Sequence, residues 1–423
     1  MLKRPKYEEA RDLLLSLVRP GETENVPLEE SAGRVLAQKL YAAENVPAFD
    51  RSPYDGYALR AADVKDASRE VPVTLRVLEE IPAGSAPTQR VTAGTASRVM
   101  TGAPIPEGAD TVIMFERTEF TETSVTLFAP VRLGDNVVCA GEDIRAGALL
   151  VPAGTRIDAA LAGSLAAQGV TEPLVYKKPH IAVLSTGTEL VEADETPGVG
   201  KIRNSNAYTL IAAIRSIGCD TEYLGIAPDS AEGIAAAIAK GLSTCDAVVS
   251  TGGVSAGDYD LTPEAIESLG AEMLVRGLAM KPGMACALAV REGKLILSLS
   301  GNPASSLTTY YGVVVPVLRK MAGLSDCVPE EITVTLADEF KKKSPVTRFL
   351  RGKLRIRGGE AFIELSGDQG NVVLSSAVGC DVMAIVLGGS GSISAGTKLK
   401  GFLLCYDRQL WKKRSLSAPI GNG

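Results

Sequence analysis

The segment Ser250-Thr251-Gly252-Gly253-Val254-Ser255-Ala256-Gly257-Asp258-Tyr259-Asp260 follows directly on an apolar run, Ala247-Val248-Val249. A strand that empties into paired glycines, hydroxyls and two carboxylates has the composition of a binding loop. Glycines let the backbone approach a ligand, successive amides cradle an anion, and Asp258 and Asp260 are placed to hold a hard cation beside it. The same residues also fit an ordinary strand-to-helix turn, with Thr262 as N-cap and Pro263 at the first helical position. Alone, the loop does not separate these readings.

Around it the chain alternates: strand Ile181 to Leu184, helix Ala207 to Ile217, strand Thr221 to Ile226, helix Ala231 to Ala239, then strand Ala247 to Val249. That alternation predicts a parallel, doubly wound α/β sheet with helices on both faces. Three strands end in polar, glycine-containing loops: Ser185-Thr186-Gly187-Thr188-Glu189-Leu190, the loop after Thr251, and Ser298-Leu299-Ser300-Gly301-Asn302-Pro303. In an open α/β sheet such ends form the ligand crevice. Glu189, Asp229, Asp258 and Asp260 bring carboxylates to it and Lys281 a cation, a set suited to metal-assisted phosphate chemistry.

A chain of 423 residues is too long for one core, so several domains are expected. A net charge of -6 gives no general attraction for nucleic acid or an anionic membrane surface. The seven cysteines are scattered, odd in number and lack CxxC spacing, which indicates neither a disulfide framework nor a zinc site and fits reduced thiols in a cytoplasm. Met1 to Val18 reads as a charged amphipathic helix rather than a signal peptide, and no apolar run is long enough to span a bilayer. His180 is the only histidine, and a structural role is the better expectation for it.

After the first helix a second helical stretch is expected around Leu28, Val35 and Leu36. Pro47-Ala48-Phe49-Asp50-Arg51-Ser52-Pro53-Tyr54-Asp55-Gly56-Tyr57-Ala58 is irregular, a loop that either presents Asp50 and Asp55 to a ligand or is simply an Asp-Gly turn. Short Val/Thr/Ile segments from Val71 to about Val138 predict a small β domain, inserted before a return to helix at Asp158 to Gly169. Beyond Asp326 glycine-punctuated strands predict a C-terminal β-barrel.

Taken together these motifs resemble the molybdopterin molybdotransferase family, that of bacterial MoeA and the gephyrin E domain. The resemblance runs along essentially the whole chain: PAFDRSPYDGYA (47–58), MTGAP (100–104), GEDI (141–144), STGTEL (185–190), STGGVSAGDYD (250–260), MKPG (280–283), SGNPASS (300–306) and SAGT (394–397). It implies a multidomain fold: a helical linker domain (1–47 and 144–177), an inserted β domain (48–143), an α/β molybdopterin-binding domain (178–326) and the barrel (327–423). It implies an elongated homodimer with the site shared between subunits. The implied reaction inserts molybdate, or tungstate, into adenylylated molybdopterin and releases AMP with help from Mg2+ or another divalent cation. Carried over by matching motif, Asp55, Asp143 and Lys281 are the catalytic candidates. Thr101, Glu189, Gly252, Gly253, Ser255, Asn302, Pro303 and Ser305 would bind substrate, with the Gly252-Gly253 amides on the pterin's phosphate, while Asp229 and Asp260 would hold the metal.

The departures concern charge. Val138-Cys139-Ala140 stands where the family usually carries arginines, and Met284-Ala285 where it usually continues with lysine and proline. A thioether carries no charge and donates no hydrogen bond, so a molybdate contact is lost at Met284 unless Arg276, Arg348 or Arg351 replaces it. Met284→Lys is accordingly expected to tighten molybdate binding about tenfold. A molybdopterin-binding or scaffold protein of the same fold that inserts no metal is the alternative. Missing cations favour it and retained carboxylates oppose it. A stand-alone nucleotide hydrolase is opposed by the matching flanking domains.

Overall fold

The computed structural model describes residues 1–255 and 261–404. Asp258 and Asp260 lie outside the described residues. The chain divides into two units: one of Met1–Ala37, Gly154–Ile157 and the chain from Pro173 onward, the other of Gln38–Ala153 and Asp158–Glu172.

The first unit is built on a seven-stranded sheet in the order Leu2–Lys3, Glu272–Arg276, Cys286–Arg291, Lys294–Leu299, Ala247–Thr251, His180–Thr186, Asp220–Ala227. Successive side chains of a strand point to opposite faces, so the strands inside the exposed edge pair Leu2–Lys3 feed two cores. Ile181, Val183 and Val249 face Tyr7, Ala10 and Leu14 of helix Tyr7–Leu17 and Leu210 and Ile214 of helix Ser205–Ser216. Ala182, Leu184 and Val248 face Ile234 and Ile238 of helix Ala231–Thr244 and Ile266 of helix Thr262–Ser268. Full burial of each aliphatic side chain contributes about 1.5–3 kcal/mol, which is why these strands read as unbroken apolar runs.

The sheet is parallel except at Cys286–Arg291, which runs against both its neighbours. The exception comes from a two-residue turn: Glu292 and Gly293 both adopt positive φ, 51° and 80°, the pairing of a type I′ hairpin, and a hairpin cannot join parallel strands. The helix expected around Leu28 to Leu36 is absent. That stretch makes one 3-10 turn, Leu28–Glu30, and then β-bridges from Val35 to Arg156 and Leu36 to Val175. Pro27 and the positive-φ Gly33 interrupt it, and a leucine spacing alone does not override them.

Toward the C-terminus, strands Thr347–Arg357, Glu360–Leu365, Glu331–Leu336, Lys398–Leu403 and Val382–Val386 close on themselves, the last pairing back to the first, into the expected barrel. Val334, Leu350, Ile363 and Ala384 fill it, and the short strand Met280–Lys281 adds alongside Thr347–Arg348. That pairing fixes the backbone from which Lys281 projects.

The second unit is centred on a six-stranded sheet, Thr111–Met114, Gly56–Leu59, Thr95–Val99, Val73–Ile81, Ser124–Leu127, Thr118–Phe120, covered on both faces. Tyr57, Leu59, Leu75 and Val125 pack on one side, and Ala58, Ile81, Val99 and Val112 on the other. Helix Ala159–Ala167 belongs to the same unit, its first turn capped by the Asp158 carboxylate on Leu161 N. No helix among the described residues is long and apolar enough to cross a membrane.

Candidate functional site

At the carboxyl ends of the central strands the three loops named from the sequence meet in a cleft of about 780 Å³. Its lining includes Glu189, Asp229, Gly252, Gly253, Ser255, Asn302 and Pro303. The glycines shape it. A Cβ on Gly252 would stand 2.3 Å from Thr186 O, and one on Gly253 2.5 Å from Thr262 Oγ1, with φ values of 102° and 61° that side chains resist. The Gly252 N–H donates to Leu299 O at 3.1 Å, so that amide is committed to the sheet and is not available to a phosphate. Thr186 Oγ1, on the same cleft, is buried without a hydrogen-bond partner among the described residues. Leaving a buried hydroxyl unpaired costs about 1–3 kcal/mol, which makes Thr186 a candidate donor to whatever occupies the cleft.

Beneath the cleft lies a polar network that motif reading did not single out. Asn204 is buried, caps helix Ser205–Ser216 on Ala207 N, accepts from Ser185 Oγ at 3.0 Å and donates to the Tyr223 hydroxyl at 2.9 Å. Tyr223 in turn donates to Glu192 at 2.9 Å, and burial followed by that carboxylate pushes its phenol well above the ordinary range. Ser185 Oγ also meets Thr251 Oγ1 at 3.0 Å, tying the first two loops together below the ligand surface. Asn206 Nδ2 donates to Gly301 O at 2.8 Å and ties in the third. The available signal was Asn204 directly before a helix, the position where a side-chain cap is expected.

A second cleft of about 350 Å³ adjoins the first, and Val254, Ser255, Ser300 and Asn302 line both. Lys281 and the buried Ser305 line it, with Met284 and two arginines, Arg4 and Arg276. No carboxylate lines it among the described residues. Arg4 N–H donates to Arg276 O at 3.1 Å, continuing the parallel pairing of Leu2–Lys3 with Val275–Arg276, and Arg4 itself holds φ at 48°. An arginine in the left-handed region is uncommon, and it sits here at a cleft edge.

Of the three arginines considered as replacements for the cation absent at Met284, the structure brings only Arg276 to this cleft. Arg351 is fully buried in the barrel, where it donates to Ser376 Oγ and Gly370 O, and the Arg348 guanidinium lies over the Phe340 ring at 5.5 Å. Arg4 was not anticipated, because only the parallel edge strand brings the N-terminus beside Arg276.

In the second unit Asp55 Oδ1 accepts from Thr101 N at 2.7 Å and Thr101 Oγ1 at 2.8 Å. Those two bonds, the backbone one first, hold the carboxyl below the usual aspartate range. Asp50 Oδ1 accepts from Ala140 N at 2.7 Å, bracing the loop that carries Asp55 against the turn before Asp143. Asp143 is exposed in that turn, its N–H donating to Val46 O.

Three family models match in succession: the MoeA N-terminal region, domains I and II, over residues 5–169, a probable molybdopterin binding domain over 182–320, and the MoeA C-terminal region, domain IV, over 333–403. The molybdopterin molybdenumtransferase of Staphylococcus epidermidis RP62A is 36% identical over 372 residues, 88% of this chain and 89% of that protein. The chain belongs to the MoeA family. The Bacillus subtilis 168 molybdopterin molybdenumtransferase is likewise 36% identical, over 91% of each chain. The solved structure of the molybdopterin biosynthesis MoeA protein of Pyrococcus horikoshii superposes with a TM-score of 0.81 at 29% identity, covering 95% of this chain and 100% of that one. The family resemblance read from PAFDRSPYDGYA through SAGT is thereby borne out, and with it a transferase of molybdenum cofactor biosynthesis as against a non-inserting scaffold.

Proposed function

We propose that this MoeA-family chain transfers molybdenum from molybdate to adenylylated molybdopterin, releasing AMP. The observation that carries the reading is the pair of adjoining clefts. One joins glycine loops to the carboxylates Glu189 and Asp229, and the other gathers Arg4, Arg276 and Lys281, with Ser255 and Asn302 common to both. The first suits a pterin phosphate and its adenylyl group, with Gly253 and Thr186 nearest in kind to the donors such a phosphate needs. The second suits a tetrahedral dianion, molybdate or tungstate. Shared lining residues put the two reactants side by side, which is most of what transfer at a phosphoryl linkage demands of a protein.

Glu189 and Asp229 supply the hard oxygen donors that Mg2+ prefers, and no lysine or arginine is paired with either among the described residues. Asp260 remains a candidate third donor by its motif. A bound divalent ion would offset charge on the phosphates of the adenylylated substrate. Lys281 and the two arginines would orient and neutralise the incoming oxyanion, and Asp55, its carboxyl held below the usual range by Thr101, serves with Asp143 as a catalytic carboxylate by motif. The reading takes the working form as a cytoplasmic homodimer in which Asp55 of one copy serves the clefts of the other.

Hydrogen–deuterium exchange tests the placement of substrate. Adenylylated molybdopterin should slow exchange at residues 186–190, 251–255 and 300–303, and added molybdate should extend protection to 276–284. Protection confined to other segments would overturn the assignment. For the dimer, co-purified Asp55→Ala and Lys281→Ala chains should together recover activity that neither homodimer has, and inactive heterodimers would argue against it.

A further inference from the structure

We propose that His180, Glu222 and Cys245 form a binding site for one zinc-class divalent cation at the amino ends of the parallel strands. The three residues come from separate parts of the chain: His180 opens the strand His180–Thr186, Glu222 lies near the start of Asp220–Ala227, and Cys245 ends helix Ala231–Thr244. The ladder pairs Ala182 with Glu222, so His180, Ala182 and Glu222 share the sheet face that this helix covers. Cys245, the residue capping the end of that helix, then meets the other two.

The Cys245 sulfur is 3.7 Å from His180 Nδ1 and 3.4 Å from Glu222 Oε2, and the three ligand atoms all lie within 4.8 Å of one another. Zinc bonds of about 2.3 Å to sulfur and about 2.1 Å to nitrogen or oxygen, at the tetrahedral angle, place two ligand atoms about 3.6 Å apart. The observed separations straddle that edge length. A thiolate, an imidazole and a carboxylate also make the mixed donor set that a borderline-soft ion selects, with a fourth position for water.

Without a metal the thiol donates to Glu222, and Thr244 Oγ1 donates to the same carboxylate at 2.9 Å. Binding exchanges the S–H proton, released to solvent, for bonds from sulfur, nitrogen and carboxylate oxygen to the ion. Burial raises the pKa of this thiol, which is 1% exposed, so the metal rather than the solvent supplies the stabilisation of the thiolate. Thr186 at the far end of the strand lines the substrate cleft, six residues away or about 20 Å at 3.3 Å per residue. The ion therefore acts as a clip across three chain segments and takes no part in transfer.

Cobalt(II) titration of the chelator-treated, full-length protein, followed by absorption, is the test. Wild type should show a near-ultraviolet thiolate-to-cobalt band with four-coordinate visible bands, saturating at one ion per chain and bleached by added zinc. Cobalt on the oxygen donors of the substrate cleft gives no thiolate band, which separates the two sites. Cys245→Ser should abolish the band, and His180→Ala should weaken cobalt binding by at least about tenfold. Cys139→Ser and Cys327→Ser should leave it unchanged. If Cys245→Ser does not fold, as judged by circular dichroism, the half-exposed His180 carries the test. Absence of a thiolate band in wild type, its persistence in Cys245→Ser, or unaltered affinity in His180→Ala overturns the proposal.

Discussion

Replacing Arg276 with alanine should weaken molybdate binding about tenfold. At about 4 Å in a water-like dielectric a pair of unit charges contributes about 1 kcal/mol, and a dianion doubles this. Arg276 is exposed, so a water-like dielectric is the appropriate limit, and ordering its long side chain takes back about 0.5–1 kcal/mol. The remaining 1–1.5 kcal/mol or so corresponds to roughly a tenfold change in Kd. Arg4→Ala should behave alike, since its backbone is tied to Arg276 O and its side chain enters the same cleft. The two arginines also bear on Met284→Lys. In wild type the new ammonium would join three like charges and gain less than about threefold, whereas in Arg4→Ala/Arg276→Ala it should recover about tenfold. Equilibrium dialysis with labelled molybdate at low and high salt measures all six proteins, wild type included. Should both arginine variants bind like wild type while Met284→Lys alone tightens binding tenfold, the arginines do not reach the anion and the account of the second cleft is wrong.

Gly252→Ala should cost at least about 2 kcal/mol, from a Cβ 2.3 Å from Thr186 O and a φ of 102°, read as a lowered midpoint in urea; a fully stable variant would mean the loop rearranges freely. Asp229→Ala should abolish Mg2+-dependent AMP release with an unchanged unfolding midpoint, because a half-exposed loop carboxylate adds little to stability; retained magnesium dependence would remove it from the metal site. Thr101→Val deletes one of the two bonds to Asp55 and should raise that carboxyl toward the ordinary aspartate range in a carbon-detected NMR titration. Since the folded pKa is the depressed one, whatever stability these bonds give is complete above the unfolded pKa and lost as pH falls through the folded value, and Thr101→Val should move that loss to higher pH. An unshifted Asp55 would show that the backbone N–H alone sets its charge.

Most of the architecture was legible because it depends on local pattern. Apolar runs of β-branched residues ending in glycine loops marked the central strands, and the positions of Glu189, Asp229 and Asn302 followed from strand ends. What escaped the sequence reading is non-local or sterically specific. The direction of Cys286–Arg291 depends on two positive-φ residues, only one of them glycine. The false helix near Leu28 arose from spacing without weight given to Pro27 and Gly33. Arg4 reaches the second cleft through an edge strand of two residues, too short to announce itself. His180 had no partner by sequence spacing, yet the parallel ladder and a helix end set Glu222 and Cys245 beside it. Arg351 and Arg348 looked available as cations because charge is visible in sequence, whereas the burial of Arg351 and the stacking of Arg348 on Phe340 are not.

The most direct test of the central claim is a single-turnover reaction of the purified protein with adenylylated molybdopterin, Mg2+ and molybdate, counting AMP released and active molybdenum cofactor formed. The account predicts one AMP and one active cofactor per substrate consumed, with both products lost when either magnesium or molybdate is left out. Tight binding of the adenylylated pterin without release of AMP would contradict it, and would identify the chain as a holder of molybdopterin.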